Sequence, residues 1–224
     1  MPTVLADTFR AALTRLTNDE QKLVKQTVYD LQDDPTQPGL SMHRVDKTRS
    51  ADIWSVRVGR DIRIILQRSG ADLILAYVAH HDAYAWAERR RIEAHPTTGA
   101  LQVVEVRELV EQVAAPVPAA EQSPVAEPAL FAGLSEEDLL SVGVPVDWIA
   151  DVQAVTEDGF FDLAEHLPEE AREALLEYAT TGRLTRAAPP ADNPLEHPDT
   201  QRRFRIMEGI EEIKAALDAP FEKW

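Results

Sequence analysis

The sequence contains no cysteine, so disulfide bonds and thiolate metal sites are excluded. It has no run of eighteen apolar residues, and its N-terminal segment lacks the basic start and apolar core of a signal peptide. No G-x-x-x-x-G-K-S/T motif is present, so these residues offer no loop of the kind that holds ATP phosphates. From these absences we expect a cytoplasmic protein with no membrane span, and no cofactor or metal site within these residues.

Charge is distributed unevenly along the chain, whose formal net charge is −16. Residues 1–100 carry 14 Lys and Arg against 13 Asp and Glu, whereas residues 101–224 carry 9 against 26. This asymmetry predicts two modules with different partners, because phosphate groups attract basic residues and are repelled by an acidic surface. Alternatively, the acidic surface only keeps the protein in solution.

Three strands and a helix are predicted between residues 53 and 91. β-Branched and aromatic residues alternate over 53–58 and 62–67, and a short, almost wholly apolar run follows at 73–79. Such a run is typical of a central strand buried on both faces. This region contains a dense group of titratable and phosphate-binding side chains, namely Arg57, Arg60, Arg63, His80, His81 and Tyr84.

Two helices are predicted before these strands. Apolar residues recur at helical spacing from Leu5 to Leu16, and a second helix extends from a capping box at Thr17 and Glu20 to Pro35. The segment 40–45 is predicted as a first strand. The order of helix, helix, four strands and helix predicts an α+β fold with a small antiparallel sheet and packed helices.

The segments 56–65 and 78–84 resemble blocks of the RelE/ParE toxin superfamily, in which a turn glycine leads into an Arg-Ile-Ile strand. The resemblance covers roughly residues 3–91 and implies a RelE/ParE-like fold. In the ribonuclease members, side chains of the sheet grip mRNA in the ribosome and promote attack of a ribose 2′-OH on the adjacent phosphate. By position, the resemblance implies that Arg57 and Arg63 hold the phosphate, that His80 or His81 transfers the proton, and that Tyr84 lies beside them.

This resemblance does not settle activity, because the ParE branch keeps the fold, lacks the nuclease and acts on gyrase. The sequence has His80-His81 where many members have His-Arg, and its helix from Tyr84 is longer than the usual short tail. A purely structural alternative makes Arg57 and Arg63 ordinary outward-facing strand residues and Tyr84 a partly buried core residue.

A linker and a helical module are predicted in the second half. Four prolines among Ala, Glu and Ser predict an extended linker at 114–129, and cap and breaker residues predict four short helices over 130–182. We therefore expect an α+β domain at 1–113, the linker, the helical module, and a loop and helix at 183–224. The turn at 139–145 faintly resembles a helix-hairpin-helix, the DNA-backbone clamp. No Lys or Arg lies between residues 130 and 171, so we expect a protein-contact or spacer module.

Nearly the whole chain resembles the N-terminal region of bacterial UvrD/Rep-like superfamily 1 DNA helicases that carry a RelE-like domain. The residues that carry this resemblance lie at 80–90, 95–96, 134–140, 142–145, 196–198, 201–205 and 216–224. The resemblance implies that the natural chain continues past Trp224 into helicase motor domains in cis, which would bind ATP and Mg. It implies an accessory or regulatory region that contacts nucleic acid or protein, with no ATPase activity in these residues.

Two other functions remain open from the sequence. One is a RelE-family mRNA endoribonuclease, and the other is an inactive toxin relative whose acidic helical half covers the basic sheet as an antitoxin would. Whichever of the three functions applies, the residues expected to bind nucleic acid are Arg57, Arg60, Arg63, His80 and His81.

Overall fold

The structure is a computed structural model that describes residues 2–46, 48, 50, 52–70, 72–107 and 128–220. These residues form two compact units. The first comprises the described parts of Met1–Arg91 and Thr200–Trp224, and the second the described parts of Ile92–Asp199. No helix within these ranges is both long and apolar enough to cross a membrane.

Eight strands occur in the described residues. They are β1 (Thr3–Ala6), β2 (His43–Arg44), β3 (Ile53–Val58), β4 (Ile62–Ser69), β5 (Asp72–Ala79), β6 (Arg90–Ala94), β7 (Leu101–Glu105) and β8 (Phe204–Met207). Six of them form one sheet in the order β2-β3-β4-β5-β1-β8, and β6 pairs with β7 alone. Strand β1 runs parallel to β5, and the other pairs of the large sheet are antiparallel.

Nine α-helices accompany the strands in the same residues. They are α1 (Asp7–Leu13), α2 (Asn18–Asp33), α3 (Asp82–Arg89), α4 (Glu136–Ser141), α5 (Ile149–Ala154), α6 (Phe160–Ala164), α7 (Glu169–Thr181), α8 (Pro198–Gln201) and α9 (Ile210–Asp218). Short 3₁₀ turns occur at Pro38–Leu40, Val146–Trp148 and Pro194–Glu196. The predicted capping box of α2 is confirmed: the Glu20 N–H donates to Thr17 Oγ1, and the Thr17 N–H donates to Glu20 Oε2 at 2.9 Å.

Helices cover both faces of the large sheet. On one face, Ile53 and Ile65 pack against Ala83 and Ala87 of α3. Strand alternation directs the fully buried Val56 to the other face, where α1 and α2 contact β5 and β3. The predicted α+β class, with a small and mainly antiparallel sheet, is confirmed by this arrangement.

The edges of the sequence-predicted sheet differ from the observed ones. Residues 3–6, which include the start of the helix predicted from Leu5, form β1 between β5 and β8, and residues 204–207, also predicted as helix, form β8. All four residues of β1 are buried, and a short apolar run buried on both faces has no period that separates strand from helix. The predicted strand at 40–45 is reduced to the two residues of β2, and the predicted helix at the end of the β3–β5 region ends at Arg89.

The second unit combines the β6–β7 hairpin with α4 to α7. Its core is built around Phe131, Leu139, Val152 and Leu175, all of which are fully buried. The four predicted short helices are confirmed at α4, α5, α6 and α7. The turn that resembled a helix-hairpin-helix is buried throughout 142–145, so its backbone is closed to a DNA phosphate.

The compact units do not coincide with the domain bounds expected from the sequence. The β6–β7 hairpin from Ile92 onward, expected within the domain at 1–113, belongs to the second unit, and β8 and α9, expected in the segment at 183–224, belong to the first. The predicted linker at 114–129 lies almost entirely outside the described residues. The expectation that 1–113 and 130–182 are separate domains stays a prediction.

Candidate functional site

Two arginines face each other across the β3–β4 hairpin. The register places Arg57 directly opposite Arg63, and Gly59, with φ of +57°, allows the tight turn that joins the two strands. Arg57 Nε donates to the Gly59 carbonyl at 3.0 Å, and Arg63 Nη1 donates to the Ile62 carbonyl at 2.8 Å. Both guanidinium groups also lie 3.4 Å from the Arg60 carbonyl oxygen. The two side chains are therefore held at the tip of the hairpin.

The hairpin tip carries positive charge that the described residues do not neutralise. Within the described ranges, none of Arg57, Arg60 and Arg63 forms an ion pair with a carboxylate. Arg57 and Arg60 are exposed, and Arg63 is half-buried. Three guanidinium groups at one turn are suited to a phosphate, because arginine offers paired N–H donors and a charge that is present at every ordinary pH.

A cluster of three polar side chains lies on the same face of the sheet, two residues before Arg57 along β3. His43 on β2 stands opposite Ser55 on β3, and Tyr84 reaches both from α3. His43 Nε2 is 3.1 Å from Ser55 Oγ and 3.3 Å from Tyr84 Oη, and the two hydroxyl oxygens are 3.2 Å apart. Ser55 is fully buried, whereas His43 is exposed, so the imidazole is the member of the cluster that a ligand reaches first.

The backbone around Ser41 fixes the tautomer of His43. Its Nδ1 lies 3.1 Å from the Ser41 carbonyl oxygen, so Nδ1 is the nitrogen that donates and Nε2 is an acceptor for the Ser55 or Tyr84 hydroxyl. Ser41 has φ of +44°, a left-handed conformation that is uncommon for a residue with a side chain. With Nδ1 turned to the Ser41 carbonyl, Nε2 is therefore the ring nitrogen on the arginine-bearing face.

Aromatic stacking fixes α3, and with it Tyr84, on this face. The rings of Tyr77 on β5 and Trp86 on α3 are parallel, with centroids 4.8 Å apart. The Arg90 guanidinium lies 5.7 Å from the centroid of Trp86. Tyr77 stands opposite Ile65, on the face of Ser55 and Arg57, so the stack anchors the helix next to the polar cluster.

His80 lies apart from this cluster. It follows Ala79, which is opposite Arg63, so strand alternation directs His80 to the other face. Its Nε2 is 2.8 Å from Glu20 Oε1 at the start of α2. Hydrogen bonds from the Thr17 backbone, from His80 and from the Thr17 hydroxyl lower the pKa of Glu20 to about 2. His80, just after β5, is thus hydrogen-bonded to Glu20 in α2 and lies away from the arginine-bearing face.

The sequence-predicted site residues are therefore only partly brought together. Arg57, Arg60, Arg63 and Tyr84 share one region of the sheet, His80 pairs with Glu20, and His81 is exposed just before α3. His43 and Ser55 were not among the site residues predicted from the sequence. The only signal in the sequence was a histidine in a predicted strand. The loop between that strand and β3 is long, so the pairing register of the two strands could not be predicted. No group of His, Asp or Glu suited to a metal ion occurs in the part of the chain that the structure describes.

Comparisons with known proteins identify no family for this chain. No protein-family model matches it, and no curated protein matches it. Among solved structures, it is similar to the RelB–RelE antitoxin–toxin complex from Methanococcus jannaschii, at 19% identity and a TM-score of 0.31, over 36% of this chain and 93% of that chain. A copper-bound mutant toxin from Helicobacter pylori is similar at 14% identity and a TM-score of 0.28, over 36% and 93%. Similarity at this level carries no conclusion about function, and the α+β assignment rests on the sheet and helices themselves.

Proposed function

We propose that the first unit binds the phosphate backbone of single-stranded RNA at the β3–β4 hairpin and cleaves it as an endoribonuclease. The observation that carries this proposal is the combination on one sheet face of Arg57, Arg63 and His43, whose Nδ1 faces the Ser41 carbonyl and whose Nε2 lies within hydrogen-bond distance of two hydroxyl groups. The three arginines of the hairpin supply the charge that attracts the backbone, and His43 supplies the base.

The reaction that these groups suit is attack of a ribose 2′-OH on the adjacent phosphorus. His43 Nε2 takes the proton of the 2′-OH, the new bond forms between O2′ and phosphorus, and the bond from phosphorus to O5′ breaks. The leaving O5′ takes a proton from solvent, so the products are a 2′,3′-cyclic phosphate and a 5′-hydroxyl. Arg57 and Arg63 stabilise the negative charge that develops on the phosphoryl oxygens. DNA lacks the 2′-OH and is therefore not cleaved.

Binding requires the arginines to leave their present partners. Each guanidinium is hydrogen-bonded to carbonyl oxygens of its own turn, and a phosphate must replace those bonds. Charge-assisted hydrogen bonds to phosphate are stronger than bonds to a neutral carbonyl, which favours the exchange. The bonds to the turn hold both side chains close to the same point of the surface before RNA arrives.

A second candidate is nucleic-acid binding without cleavage, for which the hairpin arginines alone are sufficient. This function suits the accessory region of a UvrD-like helicase, as the sequence resemblance implies, with motor domains that use ATP and Mg supplied in cis. It equally suits an inactive toxin relative whose acidic half occupies the basic face. What supports either version is that the Arg57 and Arg63 side chains are bonded to the turn and do not contact His43.

The test measures binding and cleavage of one labelled single-stranded RNA and its DNA counterpart. We expect the RNA to be cleaved to a cyclic phosphate, and binding to weaken with a slope of about −2 in log K against log salt for three phosphate contacts. His43→Gln lowers the cleavage rate by about a hundredfold or more and leaves binding intact. The double change Arg57→Ala with Arg63→Ala reduces both.

Arg68→Ala is the matched control, because Arg68 lies on the same strand near its other end and stacks on Trp54. It leaves binding and cleavage unchanged. Binding that depends on Arg57 and Arg63 without any cleavage supports the second candidate. If neither nucleic acid binds, or if Arg68→Ala acts like the double change, the hairpin is not a nucleic-acid site.

A further inference from the structure

Phe161 is the most exposed of the large apolar side chains in the described residues, with 70% of its surface open to solvent. It lies on α6 in the second unit, directly after Phe160, which is 3% exposed and part of the core. A single exposed apolar residue is common on protein surfaces. Two further features, the packing of the ring and the charge around it, distinguish Phe161.

The ring of Phe161 is held against the core by other aromatic rings. Its centroid is 5.7 Å from that of Phe160, and the Phe160 ring meets the fully buried Phe131 edge to face at 5.4 Å. A side chain that is already restricted by such contacts loses less conformational entropy when a partner binds to it. Phe161 therefore presents to solvent an aromatic ring that is positioned in advance.

Exposed carboxylates surround this ring. The backbone follows a helical path from the turn before α6, because the Leu163 N–H donates to the Gly159 carbonyl at 3.1 Å and Gly159 has helical dihedral angles. Residues three and four apart along such a path lie on the same side. The exposed charged side chains on the side of Phe161 or next to it are Glu157, Asp158, Asp162 and Glu165.

The charge of these carboxylates is not neutralised locally. In the described part of the chain, none of the four forms an ion pair. The sequence from 108 to 171 contains no lysine or arginine, and residues 92–199 carry 22 Asp and Glu against 4 Lys and Arg. The face around Phe161 therefore combines one apolar ring with uncompensated negative charge.

This combination decides which partner the face suits. A purely apolar partner would bury carboxylates without counter-charges, and a nucleic acid or an acidic protein would be repelled. A basic segment has favourable contacts with both parts of the face. A guanidinium group lies flat on an aromatic ring through a cation–π contact, and its neighbours form charge-assisted hydrogen bonds with carboxylates.

We propose that Phe161 and its four carboxylates form a docking surface, the Phe161 face, for an arginine-rich segment of a partner protein. One arginine of the segment stacks on Phe161, and arginines on either side of it pair with the carboxylates. In an extended segment every second side chain points to the same side, so arginines at alternate positions fit this face. The inference is independent of the proposed RNA site, because the two share no residue.

The experiment is an NMR titration of the whole chain with a short peptide of alternating glycine and arginine, blocked at both ends. The chain carries labelled phenylalanine rings, and Phe161→Ala assigns the signal of Phe161. We expect the peptide to shift Phe161 saturably and to leave the buried Phe9 of the first unit unchanged. Lysine in place of arginine weakens binding about threefold, because an ammonium group stacks less well on a ring. Citrulline, which is neutral, abolishes the shift.

Four variants separate the Phe161 face from general attraction to an acidic protein at physiological salt. Phe161→Ala weakens binding of the peptide about fivefold, and Asp162→Asn with Glu165→Gln weakens it about tenfold. The matched charge control is Asp192→Asn with Glu196→Gln, at two exposed positions of the same unit outside the Phe161 face. Leu176→Ala, at a position 42% exposed, is the apolar control. Both controls leave the affinity within about twofold of the parent chain.

Sedimentation of the chain without peptide identifies a different occupant. If the chain self-associates and Phe161→Ala abolishes the association, the face binds a second copy and the proposal is overturned. It is also overturned if the Phe161 shift does not saturate or if Phe161→Ala binds the peptide as tightly as the parent chain. Equal weakening by the two double variants would likewise reduce the binding to general attraction between opposite charges.

Discussion

His43 and His95 use their two ring nitrogens in opposite ways. In His43, Nδ1 donates to a backbone carbonyl and Nε2 accepts from hydroxyl groups. In the fully buried ring of His95, Nε2 donates to the Val144 carbonyl at 3.0 Å, and Nδ1 accepts from the Thr97 and Thr98 N–H groups, each at 3.2 Å. Protonation of His95 would place a hydrogen on Nδ1 against both N–H groups. His95 is therefore a structural residue that the fold keeps neutral.

Burial lowers the pKa of His95 below its ordinary value of 6.5. Between the lowered pKa and 6.5, the unfolded chain binds more protons at this site than the folded chain, so His95 contributes stability above pH 6.5 that is lost as the pH falls below it. We expect the urea midpoint of the second unit to fall between pH 7.5 and pH 5.5. His95→Gln is less stable at pH 7.5 and shows a smaller fall.

Nitrogen NMR of the imidazole provides a second measurement for His95. The Nε2–H tautomer should persist below pH 6.5, because a proton on Nδ1 would lie against the Thr97 and Thr98 N–H groups. If the His95 ring is protonated at or above pH 6.5, or if His95→Gln keeps the full pH dependence, the neutral-ring account of His95 is wrong.

Strand β8 closes the large sheet at one edge. It pairs with β1 from Ala6 opposite Phe204 to Thr3 opposite Met207, and the Asp7 N–H donates to the Arg203 carbonyl at 2.7 Å. Without β8, the fully buried residues of β1 would lie at an open edge. Strand β8, from late in the chain, therefore covers the open edge of β1, from its beginning.

Phe204→Ala tests how much β8 contributes. Phe204 is 1% exposed, and loss of a buried phenylalanine ring lowers stability by about 3–5 kcal/mol. We expect the free energy of unfolding of the first unit to fall by that amount, and the amides of β1 to exchange with deuterium faster. Ile210→Ala, at a position 36% exposed, changes stability by less than about 1 kcal/mol. Equal effects of the two changes would show that β8 is not part of the stable sheet.

On the scale of the whole molecule, each compact unit contains residues that precede the segment 108–127 in the chain and residues that follow it. In the second unit, the β6–β7 hairpin holds the helices through Gln102 Nε2, which donates to the Gly143 carbonyl at 2.9 Å, and through Trp148 Nε1, which donates to the Glu105 carbonyl at 3.0 Å. In the first unit, β1 and β8 come from opposite ends of the chain. A break of the chain within 108–127 therefore leaves part of each unit in both fragments.

A site for a sequence-specific protease, inserted after Gln122, tests this arrangement. We expect the two fragments to remain together in gel filtration after cleavage, because the contacts of both units cross the cut, and to separate only in urea. The fragments expressed alone should be unstable, since each lacks part of both cores. If the fragments part in native buffer and each stays folded, the units follow the predicted domain bounds instead.

Much of the secondary structure could be predicted from short-range features of the sequence. The cap at Thr17, the cap at Ser135 and the left-handed Gly182 at the end of α7 each act within a few residues, so they can be read without a partner. The alternating residues of β3 and β4 and the apolar run of β5 likewise predicted the centre of the sheet. The α+β class and the arginine pair at the hairpin followed from these short-range patterns.

Only the tertiary structure decided which distant segments meet. Residues 3–6 and 204–207 become strands because they pair with each other across nearly the whole chain, a contact that no local periodicity reports. His43 joins Ser55 and Tyr84 through strand register and the position of α3, whereas His80, one of the site residues predicted from the sequence, bonds to Glu20 on the other face. The sequence by itself determined which side chains were able to do chemistry, and the register of the sheet decided which of them stand together.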